Sequence, residues 1–271
     1  MNFNKYKHLS KKIDIILSSN DYRINLKRLL KKKSKALGRS HGKIVMDHKG
    51  GGVKNAYRII FRPVLNKSSV NYAIIRSLEY DPNRSTFIGL LQDKNGAFFN
   101  WPVSDKAKVG QVLQVSGVSS LLVKHGDIVS LRNAPIGIPL YNLEKYPNSG
   151  PTYSRSAGTY CILLTRDLIY GKVKLPSGEE RLFDLDCLTS IGTPSNAFNF
   201  LNKKYKAGTN RLLNKRPVVR GTAKNPVDHP HGGGAGKTAP GRPSVSPWGK
   251  LTKGVPTRNK KIKNKFIVKS R

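Results

Sequence analysis

His229 and His231 flank Pro230 and follow Asp228, so residue types suited to catalysis and metal binding fall within four positions. As a metal site the cluster supplies at most three ligands, and no second cluster in the C-terminal region completes a tetrahedral set. As a general-base dyad it places Asp and His side by side in the chain, an arrangement that rarely gives the required orientation. The nucleophile would have to be Ser244 or Ser246, and no Gly-x-Ser-x-Gly turn surrounds either. The reading that fits is imidazoles that hydrogen-bond or stack on RNA at a tight turn. Gly232–Thr238 (GGGAGKT) invites comparison with a nucleotide-binding P-loop, but that motif needs a Gly where this chain has His231. No apolar strand precedes it and no helical pattern follows. Backbone amides of Gly232, Gly233 and Gly234 around an RNA phosphate, with Lys237 beside them, use the same physics. Glu179 and Glu180 follow a turn and are expected to be solvent-exposed rather than catalytic. No catalytic residue, metal ligand or small-molecule substrate is assigned, and the chain is not expected to be an enzyme.

Three further features point to phosphate or base contacts. Gly50-Gly51-Gly52 lets the main chain approach a phosphate closely, with Lys49 and Lys54 supplying charge on either side. Arg155, in Arg155–Tyr160 (RSAGTY), is expected at the start of a strand, where it can reach a phosphate. Trp248 is either an anchor for the C-terminal arm or a stacking surface for a base, and the sequence leaves both open.

The elements that must position these residues follow from the charge distribution. The chain has 271 residues and a formal net charge of +35. Residues 1–62 carry 17 basic against 3 acidic groups, residues 63–197 carry 14 against 11, and residues 198–271 carry 19 against 1. A nearly neutral middle between two basic arms is the pattern of a folded body with nucleic-acid-binding extensions. From Arg220 to the C-terminus Asp228 is the only carboxylate, and the Gly and Pro content rules out a helix or a central strand. Such a segment is ordered by a polyanion. Cys161 and Cys187 form no disulfide framework and read as small buried hydrophobes. No apolar run approaches the roughly 18–20 residues a bilayer span requires, so no membrane partner is expected.

Residues 1–62 are read as a basic N-terminal extension. The spacing of Ile24, Leu26, Leu29 and Leu30 is weakly helical, and Asp14, Asp21 and the dominance of Lys argue against an organellar presequence. Short strands separated by turn residues are expected at Tyr72–Tyr80, Thr86–Gln92, Ala97–Val103, Val109–Val115 and Ile128–Leu131, which make one small barrel within residues 63–132. Gly137–Leu143, Thr159–Thr165, Ile169–Leu175 and Glu180–Leu185 make a second within residues 133–198, with Pro176-Ser177-Gly178 as a hairpin turn. Residues 199–271 form the basic, Gly/Pro-rich C-terminal extension. The fold class is therefore all-β.

The residues also resemble a known family. Gly42–Arg58 (GKIVMDHKGGGVKNAYR), Leu78–Ser85 (LEYDPNRS), Arg155–Tyr160, Leu175–Glu179 (LPSGE), Val219–Lys237 (VRGTAKNPVDHPHGGGAGK) and Pro247–Gly254 (PWGKLTKG) are similar, in order, to large-subunit ribosomal protein two of the bacterial and organellar type. The resemblance covers the chain from about Gly38 to its end. It implies an oligonucleotide-binding-type (OB-type) barrel followed by an SH3-like barrel. It also implies arms running into large-subunit rRNA, neighbouring large-subunit proteins, support for joining to the small subunit, and a place near the peptidyl-transferase centre. Mg²⁺ bound by the surrounding rRNA is compatible with it; no cofactor of the chain's own is expected. On this footing Lys49, Lys54, Arg58, Arg211, Arg216, Arg220, Lys237, Arg242, Lys250 and Lys253 are expected on phosphates. Lys224 and Asn225 join His229 and His231 at the RNA-facing turn, with His229 in a structural role. Two residues depart from the family pattern: Ala235 stands where Glu is usual, and Lys224 where a neutral residue such as Met is common. Lys outnumbers Arg 33 to 17, and Asn, Ile, Tyr and Phe are frequent. That bias suggests AT-rich coding and a mitochondrial ribosome, with a bacterial cytoplasmic or plastid ribosome as the alternative.

Overall fold

The computed structural model describes residues 27–32, 38–60, 71–116, 123–255 and 266–270. Ile24, Leu26, Asp14 and Asp21, on which the N-terminal reading partly rested, lie outside them. The strands in chain order are β1 (Leu30–Lys32), β2 (Arg39–Ser40), β3 (Lys43–Ile44), β4 (Ala56–Arg58), β5 (Asn71–Glu79), β6 (Ile88–Asp93), β7 (Phe98–Pro102), β8 (Val112–Ser116) and β9 (Ile128–Ser130). They continue with β10 (Pro139–Tyr141), β11 (Leu143–Glu144), β12 (Pro151–Tyr153), β13 (Cys161–Arg166), β14 (Tyr170–Lys174), β15 (Glu180–Asp184), β16 (Leu188–Ile191) and β17 (Ile267–Lys269). The chain divides into two compact units: Met1–Lys33, Asn55–Lys203 and Lys265–Arg271 form the first, and Ser34–Lys54 with Lys204–Asn264 the second.

In the first unit eleven strands share one sheet, in the order β17-β15-β14-β13-β10-β16-β9-β8-β5-β6-β7. Neighbours are antiparallel except β8 and β9, which run parallel with Val115 opposite Ile128. The sheet wraps two apolar cores. One gathers Ile75, Leu91, Trp101, Val115, Ile128 and Leu188; the other gathers Val129, Leu140, Leu163, Val173, Phe183 and Ile191. Successive strand residues point to opposite faces. In β9 this sends Ile128 into one core and Val129 into the other, so Ile-Val-Ser at the middle of the sheet is buried on both sides. Along β5, Tyr72 and Arg76 are exposed while Ala73, Ile75 and Ser77 are buried. A bulge between Ile75 and Ser77 then turns Leu78 inward as well. Each fully buried Leu, Ile or Phe contributes about 1.5–3 kcal/mol, so these two clusters dominate the unit's stability.

The expected strands form, and with them the all-β, two-barrel class. The Pro176-Ser177-Gly178 turn closes the β14–β15 hairpin, with Gly178 N donating to Leu175 O at 2.9 Å. Cys161 and Cys187 are buried thiols, and burial pushes them up to about 11 and about 12 respectively. Three local expectations are corrected. Leu30 is not helical: a short 3-10 helix ends at Leu29 and Leu30 opens β1, whose pairing with β4 overrides a weak periodicity. Glu179 is buried rather than exposed, and Glu180 is half-buried and forms a 2.8 Å ion pair with Lys172. The register places Lys174 opposite Glu180, so Lys172 is its diagonal neighbour. Arg155 lies in the loop between β12 and β13, because β13 begins only at Cys161.

The second unit is built differently. Among its described residues no hydrophobic side chain is buried. Its regular structure is the β2–β3 hairpin, one short helix (Ala207–Leu212) and a 3-10 turn (Gly221–Ala223). Backbone hydrogen bonds between its two sequence segments hold it: Gly50 N to Asn214 O, Val53 N to Leu212 O and Arg216 N to His48 O, at 3.2, 3.3 and 2.9 Å. Among the described residues no helix is long and apolar enough to cross a membrane.

Candidate nucleic-acid interface

The second unit carries most of the residues singled out in the sequence. Lys49, Gly51, Lys54, Arg211, Arg216, Arg220, Asn225, Gly234, Lys237, Arg242, Trp248, Lys250 and Lys253 are all exposed. Asp47 and Asp228 are the only carboxylates in the unit's described residues, so its surface is a nearly uncompensated field of positive charge. Trp248 is 69% exposed.

The glycine triplets divide their work. At Gly52, φ is +85° and a Cβ would stand 2.4 Å from Asn214 Oδ1 and 2.8 Å from Leu212 O, so this glycine serves internal packing. Gly51 beside it faces open space. In the second triplet the Gly232 and Gly233 amides donate to His229 O and Lys224 O, at 2.8 and 3.2 Å. Those amides bind the loop to its own turn, and Gly234 with φ +91° also serves internal packing, since a Cβ there would stand 2.5 Å from Thr238 Oγ1.

His229 is the one buried side chain among the second unit's described residues. Its ring lies against Gly221, where any Cβ would come within 2.6 Å of the imidazole. Its Nδ1 accepts the His231 amide at 3.0 Å, and His231 Nε2 accepts the Val245 amide at 3.1 Å. Each ring accepts a backbone amide through one nitrogen, which ties the Asn225–His231 turn together and links it to Val245. Desolvation, then His231 and Lys224, hold the His229 pKa below its usual value. No Asp228–His229 hydrogen bond forms among the described contacts, so the geometry is that of a structural staple. Among the described residues no group of three or more His, Cys, Asp or Glu side chains could hold a metal ion.

Lys224 is engaged within the unit. Its Nζ lies 3.0 Å from Asp47 Oδ2, and this partner holds the Asp47 carboxyl below its usual pKa. Arg58, in the first unit, is likewise paired, with Glu79 at 2.9 Å.

The first unit also presents a cleft of about 400 Å³ lined by Tyr57, Asn83, Arg84, Ser85, Arg155 and Ser156. It joins two separate sequence motifs, since the Ala157 amide donates to Ser85 Oγ at 2.9 Å. Arg84 is fixed by the buried Asp81 carboxylate and by Tyr57, whose ring it covers at 4.9 Å and whose hydroxyl it meets at 2.9 Å. Arg155 is exposed and makes no ion pair among the described residues, so it is the cation available to a ligand. Arg84, Tyr57 and Asn83 were not legible as site residues. The signals were the Asp81-Pro82-Asn83 turn followed by Arg, and the place of all three residues within Gly42–Arg58 and Leu78–Ser85, which carry the family resemblance.

Residues 26–115 match the family model described as Ribosomal Proteins L2, RNA binding N-terminal domain, and residues 124–249 match Ribosomal Proteins L2, C-terminal domain. The large ribosomal subunit protein uL2 of Rickettsia peacockii is 46% identical over 248 residues, covering 91% of this chain and 89% of the relative. That of Hyphomonas neptunium is 41% identical over 239 residues, covering 88% and 85%. The chain belongs to the ribosomal protein L2 family. The L2 match bears out the resemblance read from the sequence and the OB-type plus SH3-like architecture. The first of the two matched domains is described as an RNA-binding one. An L2-type role is structural, in keeping with histidines that staple a turn.

Proposed function

We propose that the chain is a structural, rRNA-binding constituent of the large ribosomal subunit, acting by phosphate neutralisation and shape recognition. The observation that carries this reading is the second unit: it buries no hydrophobic side chain among its described residues, yet displays at least ten exposed cations. Such a surface is stabilised by a polyanion. Lys49, Lys54, Arg211, Arg216, Arg220, Lys237, Arg242, Lys250 and Lys253 contact phosphates in this reading. Gly51 lets the backbone come close, the exposed Asn225 and Gly234 contact RNA in this reading, and Trp248 stacks on a base. In the first unit Arg155 supplies the free charge of the Tyr57–Arg84 cleft. Lys224, Arg58, His229, His231, Gly50, Gly52, Gly232 and Gly233 act indirectly, by fixing the loops that present the others.

The proposal extends to finer points that rest on the L2 resemblance. The chain is divided as 1–62, 63–132, 133–198 and 199–271, with the arms ordering in rRNA during assembly. It contacts other large-subunit proteins, supports joining to the small subunit and lies near the peptidyl-transferase centre. Its composition, with Lys 33 to Arg 17, favours a mitochondrial ribosome over a bacterial or plastid one.

The test is sedimentation of native extract through sucrose at moderate and high salt, with and without ribonuclease, on material fractionated by compartment. Co-migration with the large subunit that ribonuclease abolishes is expected, in the mitochondrial fraction. Migration as free protein, or with assorted RNAs, would overturn the ribosomal reading in favour of a general nucleic-acid-binding module.

A further inference from the structure

The first unit carries an aromatic feature that phosphate neutralisation leaves unexplained. Ala197–Leu201 (AFNFL) forms a single 3-10 turn in which no residue is buried. Phe198 is 54% and Phe200 78% exposed. Among the described residues neither ring stacks on another ring.

The turn is nevertheless held in place. Asn196, with φ +64°, donates from Nδ2 to Ser85 O at 2.6 Å. Asn202 donates from Nδ2 to Asn199 Oδ1 at 3.3 Å and from its amide to Asn199 O at 3.2 Å. Gly158 packs so tightly on Ala197 that a Cβ there would sit 3.1 Å from the Ala197 Cα. The fold thus fixes a turn whose two largest apolar side chains stand in solvent.

Its surroundings indicate what covers it. Ser85, to which Asn196 is tied, is also a wall of the cleft holding Arg84 and Arg155. Lys203 follows Phe200 by three residues, and no carboxylate occurs between Asp186 and Asp228. Exposed aromatic rings within an acid-free basic stretch complement a chain of phosphates whose bases are unpaired, because aromatic faces accept any base and cations track the backbone. We propose that Phe198 and Phe200 are a stacking site for unpaired bases of single-stranded or bulged RNA, whose phosphates enter the Arg84–Arg155 cleft. Residues two apart on a 3-10 turn diverge by about 120°, so each ring takes a separate base rather than sandwiching one. The proposal rests on the reading of the chain as an rRNA-binding protein and adds the chemical class of RNA that this face takes.

The test uses the full chain with two probes, a short oligouridine carrying one 2-aminopurine and a fully paired RNA duplex. The double variant Phe198→Leu/Phe200→Leu keeps apolar bulk at exposed positions. It is expected to weaken oligonucleotide binding by about five- to a hundredfold and to abolish the fluorescence change of 2-aminopurine. The salt dependence of oligonucleotide binding and the affinity for duplex should be unchanged, because no phosphate contact is lost. Tyr at both positions should restore binding, whereas Arg155→Gln should lower the salt slope and leave the fluorescence change in place. Wild-type oligonucleotide affinity in the Leu variant would overturn the proposal, as would an equal loss of duplex binding. So would unchanged RNA binding with lost association to a neighbouring ribosomal protein, which would make the face a protein contact. A wild-type chain that binds neither probe would overturn the rRNA reading itself, a result distinct from failure of the stacking site alone.

Discussion

The two units of this chain are held together by opposite means. The first buries two apolar cores, with Trp101, Phe183, Leu163 and Ile75 each at most 2% exposed. The second buries a single side chain among its described residues, and that side chain is His229. Hydrophobic burial is non-directional and needs no partner, so the two cores give the first unit a driving force of its own. Turns, glycine contacts and backbone hydrogen bonds carry little net energy in water, and mutual repulsion of the cations works against them. The difference teaches a division of labour, in which one unit is a body held by its own cores and the other is a charged shape with no apolar core among its described residues.

The largest expected effect lies in the first unit. Phe183→Ala removes a ring packed edge-on against Tyr153 at 5.3 Å and should cost about 3–5 kcal/mol, read as a loss of the main thermal transition. Val219→Ala, at an exposed position of the second unit, should shift that transition negligibly. Similar losses from both would contradict the comparison.

Next is a change confined to the second unit. Gly52→Val forces a Cβ into Asn214 and Leu212 at a φ that β-branched residues avoid, a strain of about 1–3 kcal/mol. Hydrogen exchange should quicken at the Gly50 and Val53 amides, which bond Asn214 and Leu212. Exchange in β5 and β14 should stay as it was. Acceleration in both units would mean that they unfold as one.

Acidification should produce a smaller, reversible version of the same separation. The folded pKa of His229 lies below the ordinary 6.5, so between the two values the unfolded chain binds more protons and stability rises with pH. The contribution is complete above about pH 6.5 and is lost as pH falls below it, because a protonated Nδ1 no longer accepts the His231 amide. Amide resonances of His231 should titrate in that window while β-strand resonances of the first unit stay fixed. His229→Asn, which offers an acceptor with no proton to gain, should flatten the titration.

How far the sequence foretold each unit follows the same physics. Alternation announced β5, β8 and the β14–β15 hairpin, because a half-buried strand writes its period into the chain, while turn residues alone bounded the largely buried β6 and β7. β16 and β17 went unread: Leu-Thr-Ser-Ile is buried throughout and does not alternate, and Ile267–Lys269 is too short to show a period. In the site, charge and glycine content marked the segment proposed to meet RNA. They could not show that Lys224 and Arg58 are paired, or that the amides of Gly232 and Gly233 are already used, since those depend on which distant residues the fold brings near. The Arg84–Arg155 cleft was hidden for the same reason, its two motifs being some seventy residues apart in sequence.

The smallest effect tests the sharpest distinction, whether Lys224 serves RNA or the fold. If it neutralises a phosphate, Lys224→Met should lower the salt slope of RNA binding by about one, and Asp47→Asn should strengthen binding. The geometry predicts otherwise. Lys224 Nζ sits 3.0 Å from an Asp47 carboxylate that is largely exposed, a pair contributing less than about 1 kcal/mol. Its use is to hold the loop before the Gly50–Gly52 triplet against the turn that leads to His229. Lys224→Met and Asp47→Asn should therefore each weaken binding slightly and by like amounts, with no further loss in the double variant and an unchanged salt slope. In Lys224→Met the Asp47 carboxyl should return towards its ordinary pKa near 3.8, because the hydrogen bond that lowers it is gone. A lowered salt slope in Lys224→Met together with stronger binding in Asp47→Asn would instead place Lys224 on the RNA.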